Sequence, residues 1–252
     1  MALFLGSSVQ FCASQKDELE AADIAETFQR GMDYYEKDNF IKAEEIFTFI
    51  IYNDPGGVFA DDAQFYLAET YFARDDLLVA ISEYDRLIRR MKNSNLVEDA
   101  FWRKTEAYCE LSPDYRLEKE MTDKALRYLY DFIEIYPESK YRAQADIRIM
   151  EMKEKLARKL IETAKLYDTL REYESALYYY DSVIDEYPET TQYASARLGK
   201  AGDMAMLERW SEARELMNSI AVDGRDDLSA KELTRMQALG TMVLEATNPP
   251  GN

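Results

Sequence analysis

Histidine does not occur anywhere in the 252 residues. Its absence removes the side chain most used as a general base near neutral pH, and the commonest transition-metal ligand with it. Cysteine occurs only at Cys12 and Cys109, too far apart in sequence to spell a paired-thiol metal site. Cys109 falls in the helical stretch Phe101–Glu110, where a small buried hydrophobe is its simplest role. Neither a phosphate-cradling glycine loop nor a nucleophile elbow is present. The sequence therefore assigns no catalytic residue, no metal ligand and no cofactor. Nine glycines and six prolines leave few interruptions, as an all-α chain requires. No run beyond residues 1–12 is long and apolar enough to cross a membrane. Positive charge is scarce as well: 31 Lys and Arg against 49 Asp and Glu give a formal charge of −18. Nucleic acid phosphates and anionic headgroups repel such a polyanion, which excludes nucleic acid as a partner and favours other proteins.

What is present is a repeated frame of apolar residues. Around Ala176 stand Tyr167 nine residues before, Tyr173 three before, Tyr180 four after and Pro188 twelve after. A small residue flanked by aromatics at helical spacing marks two helices that cross closely. The proline then ends the second helix, because it has no N–H to donate and clashes with the preceding turn. The frame recurs at Ala43 with Tyr34, Phe40, Phe47 and Pro55. It recurs again at Ala80 with Tyr71, Leu77 and Tyr84, and at Ala213 with Met204, Trp210 and Met217. At Ala125 it is partial, with Leu129 and Pro137. This pattern resembles the tetratricopeptide (TPR) repeat, which has a period of about 34 residues. Gly31 and Ala68 occupy the place of that repeat's glycine. The resemblance implies an all-α, TPR-type helical-hairpin solenoid of five repeats with a C-terminal capping helix.

Successive frame alanines are 37, 45, 51 and 37 residues apart, so the array is irregular and carries insertions. The first repeat reads as Ile24–Gly57, with helices Ile24–Lys37 and Phe40–Tyr52, and the second as Asp61–Ser94. In the third, Val97–Glu110 is followed by the insertion LSPDYRLEKEMT before a second helix, Lys124–Tyr136. From Tyr141 to Tyr173 neither glycine nor proline intervenes, which predicts one continuous or gently bent helix. The fourth and fifth repeats are Ala157–Thr190 and Ala194–Asp227. Asp227 then caps a last helix, Ser229–Ala246, with Leu233, Met236, Leu239 and Val243 along one face. The implied domains are a leader and tether (1–20), repeats one to three (21–139), a linker helix (140–156), repeats four and five (157–227), and a cap with a tail (228–252).

The first twelve residues, MALFLGSSVQFC, admit two readings. An apolar stretch ending in cysteine before a polar tether matches a lipoprotein signal, with Cys12 as the lipidated residue. Against it, Val9, Gln10 and Phe11 stand where such signals carry leucine and small residues, and no basic segment comes first. The other reading is a frayed end in which Cys12 has no role.

Three repeats and two, the long insertion and the linker helix together resemble the BamD family of outer-membrane assembly lipoproteins. The segments SPDYRLEKEMTDKALRYLYDFIEIYPESKYRAQADIRI and LARKLIETAKLYDTLREYESALYYYDSVIDEYPET carry the likeness best. It implies a non-catalytic scaffold, lipid-anchored at the periplasmic face of the bacterial outer membrane. Its implied partners are the POTRA region of BamA, the other lipoproteins of the barrel-assembly (BAM) complex and unfolded outer-membrane protein segments. The groove-facing positions of the TPR repeat fall on Phe28, Met32, Tyr35, Phe65, Phe72 and Trp102, with Asp62, Glu69, Asp99 and Glu106 among them. Exposed aromatics on one concave face would suit an extended, aromatic-rich peptide. The carboxylate-gripping TPR co-chaperones need a lysine and an asparagine where this chain has Phe28 and Met32, so that reading fails. Another envelope TPR scaffold, a pilotin or a cell-division coordinator, stays open as the alternative.

Overall fold

The computed structural model describes residues 23–223 and 228–247. Those residues form eleven helices and no strand. The chain divides into two compact units, one of residues up to 111 with 134–139, the other of 112–133 with 140 onward.

The first unit holds α1 (Ile24–Glu36), α2 (Phe40–Asn53), α3 (Ala60–Ala73), α4 (Leu77–Arg90) and α5 (Val97–Glu110). Each packs on the next in sequence. Most of α6 (Glu120–Ile135) belongs to the second unit. There it is joined by α7 (Arg142–Leu170), α8 (Tyr173–Glu186), α9 (Gln192–Met206), α10 (Trp210–Asp223) and α11 (Ala230–Thr247). From α7 to α11 neighbours again pack in order, and α9 also touches α7 and α11. These are helical hairpins of the TPR type.

The repeat frame has a direct physical counterpart. All five frame alanines, Ala43, Ala80, Ala125, Ala176 and Ala213, are 0% exposed. The residues four positions on, Phe47, Tyr84, Leu129, Tyr180 and Met217, are buried beside them. Four of the hairpins turn the same way. Asp38, Asp75, Arg171 and Glu208, each five residues before a frame alanine, take left-handed backbone with φ of 56°, 64°, 61° and 60°. In each case the next N–H bonds back to the frame residue that begins the turn: Asn39 to Tyr34 O at 2.8 Å, Asp76 to Tyr71 O at 2.9 Å, Glu172 to Tyr167 O at 3.0 Å and Arg209 to Met204 O at 2.8 Å. This is a Schellman closure, which satisfies the last carbonyls of the first helix. At Ala125 the corresponding residue is Glu120, already helical, so the inserted repeat turns differently.

The insertion is shorter than its sequence suggests, because α6 starts at Glu120 rather than Lys124. It lies against α7. Lys155 Nζ donates to Ser112 O and Ser112 Oγ, both at 3.1 Å, and Lys159 donates to Leu117 O. The Arg158 guanidinium sits 4.3 Å from the Tyr115 ring centre, and the Ser112 and Thr122 hydroxyls bond at 2.8 Å. The glycine-free run expected after Tyr141 is the single 29-residue helix α7. Asp227 lies outside the described residues. Ser229 and Glu232 instead form a capping box at the start of α11, with Ser229 N–H donating to Glu232 Oε2 at 2.9 Å. On the face expected of α11, Leu239 and Val243 are buried and Met236 packs beside them, but Leu233 is 49% exposed. Among the described residues no helix is long and apolar enough to cross a membrane.

Candidate functional site

The first helices of the front repeats, α1, α3 and α5, carry all six residues expected to line a groove. Five of them are half-buried: Phe28, Met32 and Tyr35 on α1, and Phe65 and Phe72 on α3. The sixth needs correcting. Trp102 is only 3% exposed and is part of the core, so it offers no ring to a ligand. The groove map took its place on the helix for exposure, whereas a large indole on a packed helix is driven inward by the area it buries.

Four rings gather where α1 meets α3. Phe28 stacks on Phe59 at 5.1 Å, Tyr35 meets Tyr66 edge-on at 5.6 Å, and Phe28 meets Tyr66 at 6.1 Å. Phe47 lies beneath, stacked on Tyr66 at 5.9 Å. Tyr66 is the hub, and the sequence map missed it because it falls one position beyond the groove-facing Phe65. Burial, followed by Asp62, pushes the Tyr66 hydroxyl pKa up, and burial with Glu69 does the same to Tyr35. Asp62 is itself raised, first by burial and then by Asp61. Asp62, Glu69 and Glu36 therefore all act on Tyr66.

Beside the rings lies an ion-pair network that composition could not reveal. Arg103 grips Glu69 with two hydrogen bonds, Nε to Oε1 at 2.6 Å and Nη2 to Oε2 at 3.0 Å, and reaches Glu106 at 2.8 Å. Its guanidinium covers the face of Phe72 at 4.0 Å, so that ring is already occupied. Tyr84 donates its hydroxyl to Glu69 from below. Burial works against the Arg103 charge, but the bonds it donates to Glu69 outweigh that and hold the guanidinium ionised. Arg103 follows Glu69 by 34 residues, one TPR period, and that interval was the available signal. These first helices thus present half-buried aromatics flanked by carboxylates, with Arg103 tied up by Glu69 and Glu106. Such a surface favours apolar and aromatic side chains and opposes carboxylates.

The second unit holds a separate polar cluster. Asp168 at the end of α7 accepts the Tyr180 hydroxyl at 2.8 Å, and Asp203 on α9 faces it, 2% exposed. Burial and then Asp168 push the Asp203 pKa up to about 8, which favours its protonated form. Asp203 Oδ2 and Asp168 Oδ1 are both buried without another hydrogen-bond partner. The pair lines a cavity of about 300 Å³ with Met206, Leu239 and the exposed Arg235. Among the described residues no group of three or more His, Cys, Asp and Glu side chains could hold a metal ion. Cys109 is buried, and Cys12 lies outside the described residues.

With this geometry in view, the family model of YfiO, outer membrane lipoprotein, matches residues 20–203. The chain belongs to the YfiO family. The match takes in every groove residue and ends at Asp203 in α9, so α10 and α11 lie outside it. The outer membrane protein assembly factor BamD of Rickettsia prowazekii is 24% identical to this YfiO-family chain over 214 residues, 84% of this chain and 85% of the relative. BamD of Caulobacter vibrioides is 21% identical over 199 residues, 77% of this chain and 65% of that protein. Among solved structures, the TPR2AB domain of yeast Sti1 aligns at a TM-score of 0.46 with 14% identity, covering 89% of this chain and 98% of that one.

Proposed function

We propose that this chain is a non-catalytic scaffold in outer membrane protein assembly, working at the periplasmic face of the bacterial outer membrane. The family match over residues 20–203 is the observation that carries the reading, and the names of the two relatives supply the process. In this reading Cys12 carries the lipid anchor. The front repeats (21–139) receive unfolded outer-membrane protein segments on the ring cluster of Phe28, Tyr35 and Tyr66. The back repeats (157–227), reached through the linker 140–156, dock the POTRA region of BamA, with other lipoproteins of the complex alongside.

The chemistry of the groove supports the first part. Half-buried rings accept apolar and aromatic side chains without a reaction, and the carboxylates around Tyr66 turn away chain ends that bear a free carboxylate. A photo-crosslinker at Tyr66 should capture outer-membrane protein segments during synthesis, while one at Glu174 should not. Affinity purification of the tagged chain from native membranes should recover BamA. Recovery of a different envelope partner in place of BamA would move the chain to another scaffold role. Acyl mass on Cys12 in membrane-extracted protein tests the anchor directly.

A further inference from the structure

Four basic and no acidic residues fall together in RLIRRMK, residues 86–92, at the end of α4, and the ring cluster makes no use of them. Beneath it, between the ends of α2 and α4, lies a cavity of about 570 Å³. Ile51, Tyr52, Pro55 and Met91 form its apolar walls, and Arg86 and Arg90 its cationic edge. A second hollow of about 340 Å³ adjoins it through Pro55, Arg90 and Met91 and adds Lys92. Arg86 is paired with Glu83 at 2.7 Å and Arg89 with Asp85 at 2.8 Å. Among the described residues no carboxylate lies within ion-pair distance of Arg90 or Lys92, and both are exposed. Tyr52 is 81% exposed at the rim.

Gln64 closes the inner end and supplies an independent observation. Its side chain is wholly buried, and Nε2 donates to Glu83 O at 3.2 Å and Glu83 Oε2 at 2.8 Å. Those two bonds fix which end is the amide nitrogen. Gln64 Oε1 is left without a donor, and Gln64 lines the cavity. A buried acceptor with no partner is an unmet demand for an N–H or O–H.

We propose that this crevice is a second polypeptide-binding site, separate from the groove, and that it takes an acidic segment in which a carboxylate is flanked by apolar side chains. Arg90 and Lys92 meet the carboxylate, the walls of Ile51, Pro55 and Met91 meet the apolar neighbours, and Gln64 Oε1 accepts a backbone N–H. Basic residues in the last turn of a helix also suit its negative end. That accounts for the charge but not for an apolar cavity and an orphan acceptor beneath it. Phosphate-type anions fit less well, because they bring no apolar surface for the walls of Ile51, Pro55 and Met91. None of the lining residues belongs to the ring cluster of the groove, so the two sites have separate readouts.

Fluorescence anisotropy on the full chain tests this with a capped peptide of alternating Glu and Leu bearing a neutral dye. The peptide should bind, more weakly at high salt, and its Gln-for-Glu twin should bind about tenfold more weakly, as loss of a charge-assisted bond implies. Arg90→Gln should weaken the Glu peptide by a similar factor, whereas Arg89→Gln should leave it unchanged. Arg90 is exposed, so its variant folds, and circular dichroism checks that. Equal binding by the two arginine variants, or by the two peptides, overturns the proposal. Displacement of the peptide by inorganic phosphate beyond the effect of chloride at equal ionic strength would make this an inorganic anion site instead. Loss of binding in Tyr66→Ala with Arg90→Gln unaffected would assign the peptide to the groove and equally overturn the proposal.

Discussion

Replacing Asp203 by asparagine should change how stability depends on pH. Asp203 is 2% exposed, and burial followed by the neighbouring Asp168 raises its pKa from 3.8 to about 8. The folded value lies above the unfolded one, so folding takes up a proton. The stability this group contributes is therefore complete below about pH 4 and is lost as pH rises to about 8, and not in the opposite direction. Each pH unit inside that window removes about 1.4 kcal/mol. Between pH 5 and pH 9 the loss comes to about 4 kcal/mol as a ceiling, because ionisation draws in the exposed Arg235, which offsets part of it. For a chain of this size that corresponds to roughly ten degrees of melting temperature. The asparagine of the Asp203→Asn variant remains neutral throughout. Thermal melts of both proteins across pH 5 to 9 should converge at the acid end and separate progressively above it, with the variant the more stable at pH 9. Parallel curves would refute proton uptake by Asp203 on folding.

The fold offers three further tests. Ala176→Leu, at a site 0% exposed, should overpack the helix crossing and cost about 1–3 kcal/mol, whereas Glu174→Gln on the exposed face of α8 should change the denaturation midpoint hardly at all. Gly31→Ala puts a methyl 2.7 Å from Phe47 Cε1 and 3.0 Å from Ile46 Cγ2; a destabilisation of about 1–3 kcal/mol in urea is expected, and a neutral result would mean that α1 and α2 are free to part. Arg171→Gly relieves a left-handed backbone at φ 61° and should raise stability by up to about 1 kcal/mol, read as a higher urea midpoint with an unchanged slope.

The helices were legible because the cause of each hairpin is local. A small residue at the crossing, a bulky one a turn later and a proline beyond are all written within a few dozen residues, and the five alanines are fully buried. The onset of α6 was misjudged because Glu120–Thr122 read as loop while their backbone continues into the helix. The groove was half legible. Periodicity placed Phe28 and Tyr35 on the right helix, but whether a ring is exposed depends on what the next hairpin brings, which is how Trp102 came to be buried. Arg103 and Glu69, Asp168 and Asp203, and Gln64 beneath Arg90 meet only after helices distant in sequence pack together. No local pattern announces such partners.

The clamp on the insertion bears on how this protein can be mapped. Lys155 and Lys159 spend their ammonium protons on loop oxygens, at Ser112 and Leu117. An amine engaged in that way is a poor nucleophile, so acylating reagents will modify these two positions more slowly than freely solvated lysines. Proximity maps built from amine-reactive cross-linkers will accordingly be thin along this stretch of α7, and a blank there will report occupied amines rather than the absence of a neighbour.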